Sequence, residues 1–544
     1  MELNALSNEI RPNVKSKPII FKILFPTLFI VLVLMSLGMV LLQDLEKAIA
    51  FSAIDDALYY HKIAQNFIKY GIVTYDGITI TNGFHPLWFV VILPIYLIIS
   101  DPWMNLKVVY WLTFIIICVA FWQFSRLSRT LALSAGGAIV ALMIIFFNIR
   151  SFTILFSLIE APLVLLIYLL YLNYATKVGD RRFSEPKTAL FIGILLGLAF
   201  LSRTDSVFLI ISYGIVLAFR ILNRKLHYID GLKSGISAIL GAGIFVLPYL
   251  LINFLNFGKI IPVSGLRKIV IPTGLSQFIF PLNNLYSFKV PQFRYVLGVS
   301  DEYHTLFFVV LVMIVLSLGI LVFSGKRLKR VKSVLNSFSE FSLFVLIHFI
   351  FIYTFMPSEV FLAPWYYVSE IIILGLIFGA LLPQHKMINK VAYVAVCLLL
   401  VVQAVFYPVF VRLKTMTWIK LEMASYIREN MPHNVRIGMA DSGITSYFAL
   451  RDFFVLKGFA VDYEALQLIE NGKFEELADK YKIDHVIVEV PITFRGSLPG
   501  EVIYKSNIQT KFAIFNEGLK EFTLVRCTPT EIQEMSKLAL NRFR

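Results

Sequence analysis

The chain has 544 residues, of which 58% are hydrophobic and 16% are charged, and it carries a formal net charge of +15. This composition, with its apolar residues in long runs, excludes an ordinary soluble domain and indicates a polytopic membrane protein. Lys and Arg lie mainly in short runs between the apolar segments, as in Arg224-Lys225 and in the GKRLKRVK stretch from Gly325. These basic runs therefore indicate cytoplasmic loops. The expected partner is the lipid bilayer, and no nucleic-acid partner is predicted.

The amino-terminal region is predicted to be a cytoplasmic tail, residues 1–20, followed by a retained membrane helix at 21–41. The tail is polar and basic, and no small-residue cleavage site follows the apolar run. An uncleaved signal anchor would show the same pattern. The three cysteines, Cys118, Cys397 and Cys527, are too few and too scattered for a disulfide framework or a thiolate metal cluster.

Further apolar runs follow along the chain, and a spanning helix needs about 20 such residues. The runs are 86–100, 106–124, 131–147, 158–174, 188–201, 206–222, 235–253, 305–323, 341–355, 366–382 and 391–411. If every run crossed from a cytoplasmic amino terminus, the basic loops would lie outside, against the positive-inside rule. The run 86–100 is short, starts with Pro86 and contains Trp88, so we expect an interfacial helix there. The other ten runs, together with the helix at 21–41, predict about eleven membrane helices.

This topology divides the chain into a transmembrane domain, residues 21–411, and an extracytoplasmic α/β domain, residues 412–544. The transmembrane domain has a large first outer loop at 43–105 and another outer loop at 254–304. After Val411 the stretches NVRIGMA, FFVLKG, DHVIVEV and FTLVRC are typical of short strands, and YEALQLIENGKFEELADKYK is typical of a helix.

Three carboxylates belong to the predicted outer face. Asp55 and Asp56 open an amphipathic pattern that Gly71 ends, so they are expected to cap a helix or to complement its dipole. The alternative is that one of them is a general base or a metal ligand. Glu160 stands at the outer end of an apolar helix, where a carboxylate is usually functional unless it simply reaches the lipid headgroups.

Three basic residues of the same face are candidates for binding an anion. Arg203 lies with Asp205 in the short turn between two apolar runs, where the two either pair only with each other or belong to a site. Arg267 and Lys268 lie in the outer loop 254–304. Arg and Lys suit an anionic phosphate, and equally a surface near anionic lipid.

Aromatic and histidine side chains complete the candidate set. Trp365 and Tyr366 belong to the APWYYV stretch, which is typical of an interfacial aromatic belt and would stack against a sugar if it lined a cavity. His61 and His85 could join the aspartates as metal ligands or contact substrate, but their spacing matches no metal motif. The sequence therefore leaves open whether the protein binds a divalent metal, and it predicts no other cofactor.

Several short motifs together resemble the GT-C glycosyltransferases, which include protein O-mannosyltransferases, arabinofuranosyltransferases and the aminoarabinose transferases of lipid A. The motifs are the DDALYY stretch from Asp55, NGFHPLW from Asn82, SRTD from Ser202, PVSG from Pro262 and PWYY from Pro364. The likeness is closest to a large prokaryotic group of such proteins, extends from Ala53 to about Tyr367, and includes ADSGITSYFALRDFFVLKGFAVDYE in the terminal domain. The order of these motifs is more specific than any one of them.

The resemblance implies an enzyme that takes a sugar from a polyprenyl-phosphate carrier and passes it to a glycan, lipid or protein acceptor outside. By position Asp55 matches the catalytic aspartate of the first loop, with Asp56 beside it, and Glu160 matches the acidic residue of the second outer loop. Arg267, with Arg203 and Lys268, would hold the donor phosphate.

The chain lacks a second-loop Asp-x-Asp motif, so the resemblance leaves a required cation open. Attack by an acceptor hydroxyl with a single base would invert the anomeric centre.

Two rival functions stay open on the sequence alone. A transporter or flippase of lipid-linked sugar would have polar residues near the bilayer midplane and internal repeats with broken helices. A non-catalytic assembly component would use the first loop to bind a partner. The acidic residues instead gather at the outer mouth, so we rank the transferase first.

Overall fold

The computed structural model describes residues 53–147, 154–268, 325–355, 364–382, 415–458, 460–491, 497–506 and 520–538, together with positions 26, 30 and 151. The predicted helix at 21–41, apart from positions 26 and 30, the predicted helices at 305–323 and 391–411, and residues 269–304 of the second outer loop lie outside this set.

The first part of the chain is helical. Its helices are α1 Asp55–Tyr70, α2 Pro86–Ile98, α3 Pro102–Thr130, α4 Ala135–Leu142, α5 Ala161–Val178, α6 Arg181–Ser184, α7 Pro186–Ser202, α8 Val207–Leu222, α9 Tyr228–Phe257, α10 Val263–Lys268, α11 Gly325–Ser337, α12 Ser339–Phe355 and α13 Val368–Leu381. A π-helical stretch, Met143–Phe147, continues α4, and 3-10 turns at Thr204–Ser206 and Pro364–Tyr367 precede α8 and α13.

Four helical segments of the described chain are long and apolar enough to cross a membrane, namely Pro102–Thr130, Ala161–Val178, Thr204–Leu222 and Tyr228–Phe257. Two consecutive helices, Arg327–Ser337 and Ser339–Ile352, meet the same test when taken together, and the angle between them is 90°. Shorter apolar helices accompany them, including α2, which has only 13 residues. The chain is therefore a polytopic helical membrane protein, and the total of eleven spans stays a prediction.

Close helix packing explains several glycines of the membrane body. A Cβ on Gly193 of α7 would lie 2.1 Å from the carbonyl oxygen of Ala238 in α9, and a Cβ on Gly241 of α9 would lie 2.2 Å from the carbonyl oxygen of Leu190. Larger side chains would force the two helices apart. Small residues at such contacts are the usual means of helix association in membranes.

The carboxyl-terminal part, called here the C-terminal segment (415–538), is built around a five-stranded sheet. Its elements are α14 Thr415–Asn430, β1 Ile437–Met439, α15 Gly443–Ala449, β2 Phe453–Val455, α16 Tyr463–Glu470, α17 Phe474–Tyr481, β3 His485–Pro491, β4 Glu501–Lys505, β5 Lys520–Arg526 and α18 Pro529–Leu538. The strand order is β2-β1-β3-β5-β4. β1 pairs in parallel with β2 and β3, placing Ile437 opposite Phe453 and His485, whereas β5 is antiparallel to both of its neighbours.

The sheet contains the four predicted strands and one strand, β4, that the sequence analysis missed. The predicted single helix is instead two helices, because the chain turns at Gly472, which has a left-handed φ of 68°. Glycine adopts this conformation without steric cost. Whether the C-terminal segment is a separate domain outside the cell stays a prediction.

Helix α1 of the first loop lies between the helical body and the C-terminal segment. Residues Ala57–Ala64 of α1 are buried on all faces, so this helix is less surface-bound than its amphipathic pattern predicts. Lys62 forms an ion pair of 2.9 Å with Asp452, and the Tyr70 hydroxyl donates to the same carboxylate at 2.6 Å. These contacts fix α1 and its neighbouring cavity relative to the sheet.

Candidate active site

A cavity lies where the first loop meets the ends of α5, α7 and α10. The space between its lining atoms is narrow: the centre of a water molecule can occupy about 40 Å³ of it, within about 480 Å³ of empty space that includes open solvent. Its lining residues are Asp56, Tyr59, Tyr60, Gly83, Phe84, His85, Ile159, Glu160, Arg203, Ser264, Lys268, Trp365 and Tyr366. Residues from six separate stretches of the sequence therefore meet here, and most of the candidates selected from the sequence are among them.

Asp56 contributes a carboxylate from the first turn of α1. The N-cap of this helix is Ile54, and no side chain caps it, so neither aspartate serves as the expected cap of its own helix. Burial raises the pKa of Asp56 above its ordinary value, and the nearby cation of Lys268 opposes that shift. A carboxylate with a raised pKa, close to a cavity, is suited to proton transfer.

Glu160 directly precedes α5 and is fully buried. Its Oε1 accepts a hydrogen bond from Arg203 Nη1 at 2.6 Å, and its Oε2 accepts one from the Tyr60 hydroxyl at 3.0 Å. The His85 ring lies close by, with Nε2 at 3.8 Å from Oε1. Burial lowers the pKa of His85 to about 3, so this imidazole is neutral at physiological pH.

Arg203 links the cavity to a deeper ionic network. Its guanidinium binds both Glu160 and Asp205, each at 2.6 Å, and it lies over the Tyr366 ring at 4.4 Å from the centroid. The side chain is only 3% exposed. Two carboxylates compensate this one cation, so Arg203 holds the elements of the site together as well as facing the cavity.

The network continues to two residues that the sequence analysis did not select. His348 of α12 has Nδ1 at 2.8 Å from Glu370 Oε1 and Nε2 at 3.4 Å from Asp205 Oδ2. Glu370 of α13 also accepts from the Ser369 hydroxyl at 2.8 Å. Both residues interrupt apolar runs, and an ionisable side chain in a membrane helix is the signal that could have identified them.

Lys268 and Tyr366 form the cationic and aromatic part of the lining. Lys268 Nζ donates to the Tyr366 hydroxyl at 3.0 Å. Burial lowers the pKa of Lys268, but the interactions with Tyr366 and Asp56 outweigh it, and the net shift is upward. Lys268 is therefore a persistent cation beside the cavity. Trp365, the other aromatic candidate, lines the same space.

Three sequence-selected residues lie elsewhere. The Asp55 carboxylate binds the C-terminal segment, accepting from Lys420 Nζ at 2.9 Å and from the backbone amides of Gly443 and Ile444 at 3.0 and 3.1 Å. Arg267 donates from Nε to the carbonyl of Lys457 at 3.1 Å. His61 is fully buried and bonds to Tyr96 and to the Leu158 carbonyl rather than lining the cavity.

A metal site is not evident from the described residues. Among them, no group of three or more His, Cys, Asp and Glu side chains is arranged to hold a metal ion. Asp56 and Glu160 instead face cations of the protein, Lys268 and Arg203. In the part of the chain that the structure describes, these carboxylates are therefore compensated by protein cations.

No protein-family model matches the chain, and no curated protein sequence matches it. Solved structures do match. The archaeal oligosaccharyltransferase AglB from Archaeoglobus fulgidus, in complex with an inhibitory peptide and a dolichol-phosphate, is 12% identical with a TM-score of 0.50, over 95% of this chain and 78% of that one. ArnT from Cupriavidus metallidurans bound to undecaprenyl phosphate is 12% identical with a TM-score of 0.49, over 92% of this chain and 97% of that one.

At this level of identity the similarity to AglB concerns the fold. AglB and ArnT both have the GT-C fold. The resemblance stated from the sequence motifs is confirmed at that level, since the chain has the GT-C fold in a polytopic helical membrane protein.

Proposed function

We propose that this protein is a membrane glycosyltransferase that moves a sugar from a polyprenyl-phosphate carrier to an acceptor hydroxyl on the extracytoplasmic face, with inversion. The observation that carries the proposal is the cavity itself, which combines the Asp56 carboxylate, the Lys268 cation and the aromatic rings of Trp365 and Tyr366. The dolichol-phosphate in the AglB complex supports a lipid phosphate as the carrier, because the two proteins share a fold.

In this reaction Asp56 is the general base. The acceptor hydroxyl gives its proton to the Asp56 carboxylate while its oxygen forms a bond to the anomeric carbon of the sugar. The bond between that carbon and the phosphate oxygen breaks, and the electron pair leaves with the polyprenyl phosphate. Attack opposite to the leaving group inverts the anomeric centre.

The sequence resemblance favours Asp55 as the base, whereas the contacts of the two aspartates favour its neighbour Asp56. Both oxygens of Asp55 are occupied by donors from Lys420, Gly443 and Ile444. These three donors hold the Asp55 carboxylate against the C-terminal segment, and Asp55 does not line the cavity, so it is not placed to accept a proton from a hydroxyl bound there. Asp56 faces the cavity and has no such set of donors among the described contacts.

Lys268 is assigned to the leaving phosphate. Its pKa is shifted upward, so it carries a full positive charge, whereas the charge of Arg203 is shared with two carboxylates. A fixed cation at the position where negative charge develops stabilises the transition state. Arg203 can add a second contact to the phosphate, but its main function is to orient Glu160 and Tyr366. Arg267 is not assigned to the phosphate, because it binds Lys457.

The sugar is expected to lie between the aromatic rings and the polar side chains. Trp365 and Tyr366 offer apolar ring surface, and neutral His85 and the remaining lone pairs of Glu160 offer hydrogen-bonding groups to sugar hydroxyls. The acceptor, whether glycan, lipid or protein, approaches from the side of Asp56, where the C-terminal segment borders the loop. The extracytoplasmic orientation rests on the positive-inside rule.

The test is transfer of radiolabelled sugar from a panel of polyprenyl-phosphate monosaccharides in membranes that contain the protein. We expect transfer by the wild type and a loss of about 100-fold or more in Asp56→Asn, as for removal of a general base. Asp230→Asn is the matched control, because Asp230 is exposed at the start of α9. Transfer that survives in Asp56→Asn would move the base elsewhere in the cavity.

Absence of transfer with every donor and acceptor extract would contradict the enzyme proposal. Movement of the labelled lipid between the leaflets of proteoliposomes would then favour the transporter. The Lys268→Met variant adds a second test, since it should weaken transfer per folded molecule, with thermal unfolding as the companion measurement.

A further inference from the structure

The loop before Glu160 contains an unusual backbone conformation. Leu158 has a φ of 64°, in the left-handed region that residues with a Cβ rarely adopt. It is fully buried and lies two residues before Glu160. A disfavoured conformation at such a position persists only when surrounding contacts impose it. The structure identifies those contacts.

Two side chains from different helices hold the Leu158 carbonyl. The indole Nε1 of Trp88 in α2 donates to it at 3.1 Å, and the imidazole Nε2 of His61 in α1 donates to it at 3.3 Å. Both donor side chains are fully buried. A buried carbonyl with two directional donors is strongly restrained in its orientation.

The state of His61 is consistent with this arrangement. Burial lowers the pKa of His61 to about 4, so the ring is neutral and carries one N–H. The contact with the Leu158 carbonyl assigns that hydrogen to Nε2, which leaves Nδ1 to accept from the Tyr96 hydroxyl at 2.6 Å. Tyr96 thereby fixes the ring from the opposite side. His61 was selected from the sequence as a substrate contact, and its described contacts are all with the protein.

The two ends of this turn are held by consecutive residues of α1. His61 binds the Leu158 carbonyl, and Tyr60 donates to the Glu160 carboxylate at 3.0 Å. The same helix carries Asp56 one turn earlier. The position of Glu160 relative to Asp56 is thus set through α1, with Trp88 as an additional support from α2.

We infer that His61 and Trp88 are positioning residues for the proposed transfer reaction, because they maintain the left-handed turn at Leu158 that brings Glu160 into the cavity. The catalytic consequence rests on the proposed function, and the structural consequence does not. Loss of either donor should let the turn relax toward an ordinary conformation, with displacement of the Glu160 carboxylate. A displacement of about 1 Å at a positioned group can cost roughly 100-fold in rate.

The experiment compares Trp88→Phe and His61→Leu with matched controls. Trp88→Phe removes the N–H and keeps an aromatic ring, and Trp122→Phe is its control, since Trp122 is 52% exposed on α3. His61→Leu removes the donor, His61→Gln restores one, and His227→Leu is the control at an exposed histidine. Each variant is measured for thermal stability, for amide hydrogen exchange of residues 154–160, and for kcat and donor KM with the active polyprenyl-phosphate monosaccharide.

We expect faster exchange of residues 154–160 in Trp88→Phe and His61→Leu, with kcat lowered about tenfold or more and donor KM changed by less than about threefold. His61→Gln should recover much of the lost kcat, and both controls should match the wild type. If the effect passes through Glu160, Trp88→Phe should cost little further activity in a Glu160→Gln background, because coupled residues are not additive.

Three results would each overturn the inference. The first is unchanged exchange of residues 154–160 in both variants, which contradicts the inference even if the wild type transfers no sugar and the proposed function fails. The second is faster exchange with unchanged kcat, and the third is a loss of activity in Trp88→Phe that is fully additive with Glu160→Gln. Transfer by the wild type together with any of these results would leave the proposed function intact.

Discussion

Asp55 and Asp56 are neighbours in the sequence, yet their carboxylates belong to different parts of the molecule. Asp55 accepts hydrogen bonds from Lys420, Gly443 and Ile444 in the C-terminal segment. Asp56 lines the cavity formed by the helical body. The first turn of α1 therefore connects the C-terminal segment, which Asp55 contacts, with Asp56, the proposed general base.

Asp55→Asn should loosen the C-terminal segment. The substitution weakens a charge-assisted contact with Lys420 and should reduce the docking free energy by about 2 kcal/mol. Hydrogen exchange of the Gly443 and Ile444 amides should accelerate, and transfer should fall less than in Asp56→Asn. Unchanged protection of these two amides would contradict the anchoring role.

Gly443→Ala should disturb the same interface for a steric reason. A Cβ at this position would lie 2.0 Å from the Asp55 carbonyl oxygen, so α15 and α1 would have to separate. We expect greater protease sensitivity of the C-terminal segment and reduced transfer. Gly214→Ala is the control, because no heavy atom lies within 4 Å of its added Cβ. Equal behaviour of the two variants would refute the steric argument.

The pH dependence of transfer should report on Asp56 and Lys268 together. Burial raises the pKa of Asp56 and Lys268 opposes the rise, so Lys268→Met should raise that pKa further. A general base works deprotonated, and kcat/KM therefore falls as the pH drops through its pKa. The acidic limb of the profile should move to higher pH in Lys268→Met.

The control for this measurement is Lys473→Met. Lys473 is 58% exposed and pairs with Glu476 on the surface, so its removal should leave the profile in place. An acidic limb that does not move in Lys268→Met would assign the titration to another group.

A second buried ion pair should matter for stability rather than for chemistry. Arg182 contacts Glu340 through Nε at 2.8 Å and Nη2 at 3.0 Å, with both side chains almost fully buried, at the bend between α11 and α12. Arg182→Met or Glu340→Met alone leaves a buried charge and should cost about 3–5 kcal/mol.

The double variant Arg182→Met with Glu340→Met should cost less than either single one, because no unpaired charge remains. Thermal unfolding in detergent measures all three, with activity per folded molecule as the companion readout. A double variant that loses the sum of the two single effects would contradict the pairing argument.

Much of the architecture was predictable because it depends on local pattern. Long apolar runs make helices wherever they meet lipid, so α3, α5, α8 and α9 could be located from hydropathy alone. Four of the five strands followed from β-branched and aromatic stretches, whereas β4, with the sequence EVIYK, has charged ends and too short a pattern to stand out.

The candidate site was predictable as a set of residues and not as an arrangement. Polar side chains at the ends of apolar runs are few, so Asp56, Glu160, Arg203 and Lys268 stood out and do meet in one cavity. His348 and Glu370 were missed because each lies alone in its own apolar run. Only the packing of α12 beside α13 and the turn at Asp205 brings them together.

The sequence by itself determined that this protein is a helical membrane protein with a polar first loop, since hydropathy and charge act along the chain. The tertiary structure decided which of two adjacent aspartates faces the cavity. Successive residues of a helix point about 100° apart. The packing of α1 between the helical body and the sheet therefore decides that Asp55 contacts Gly443 and that Asp56 lines the cavity. Long-range packing also placed the Leu158 carbonyl on His61 and Trp88, and no local pattern encodes such a contact.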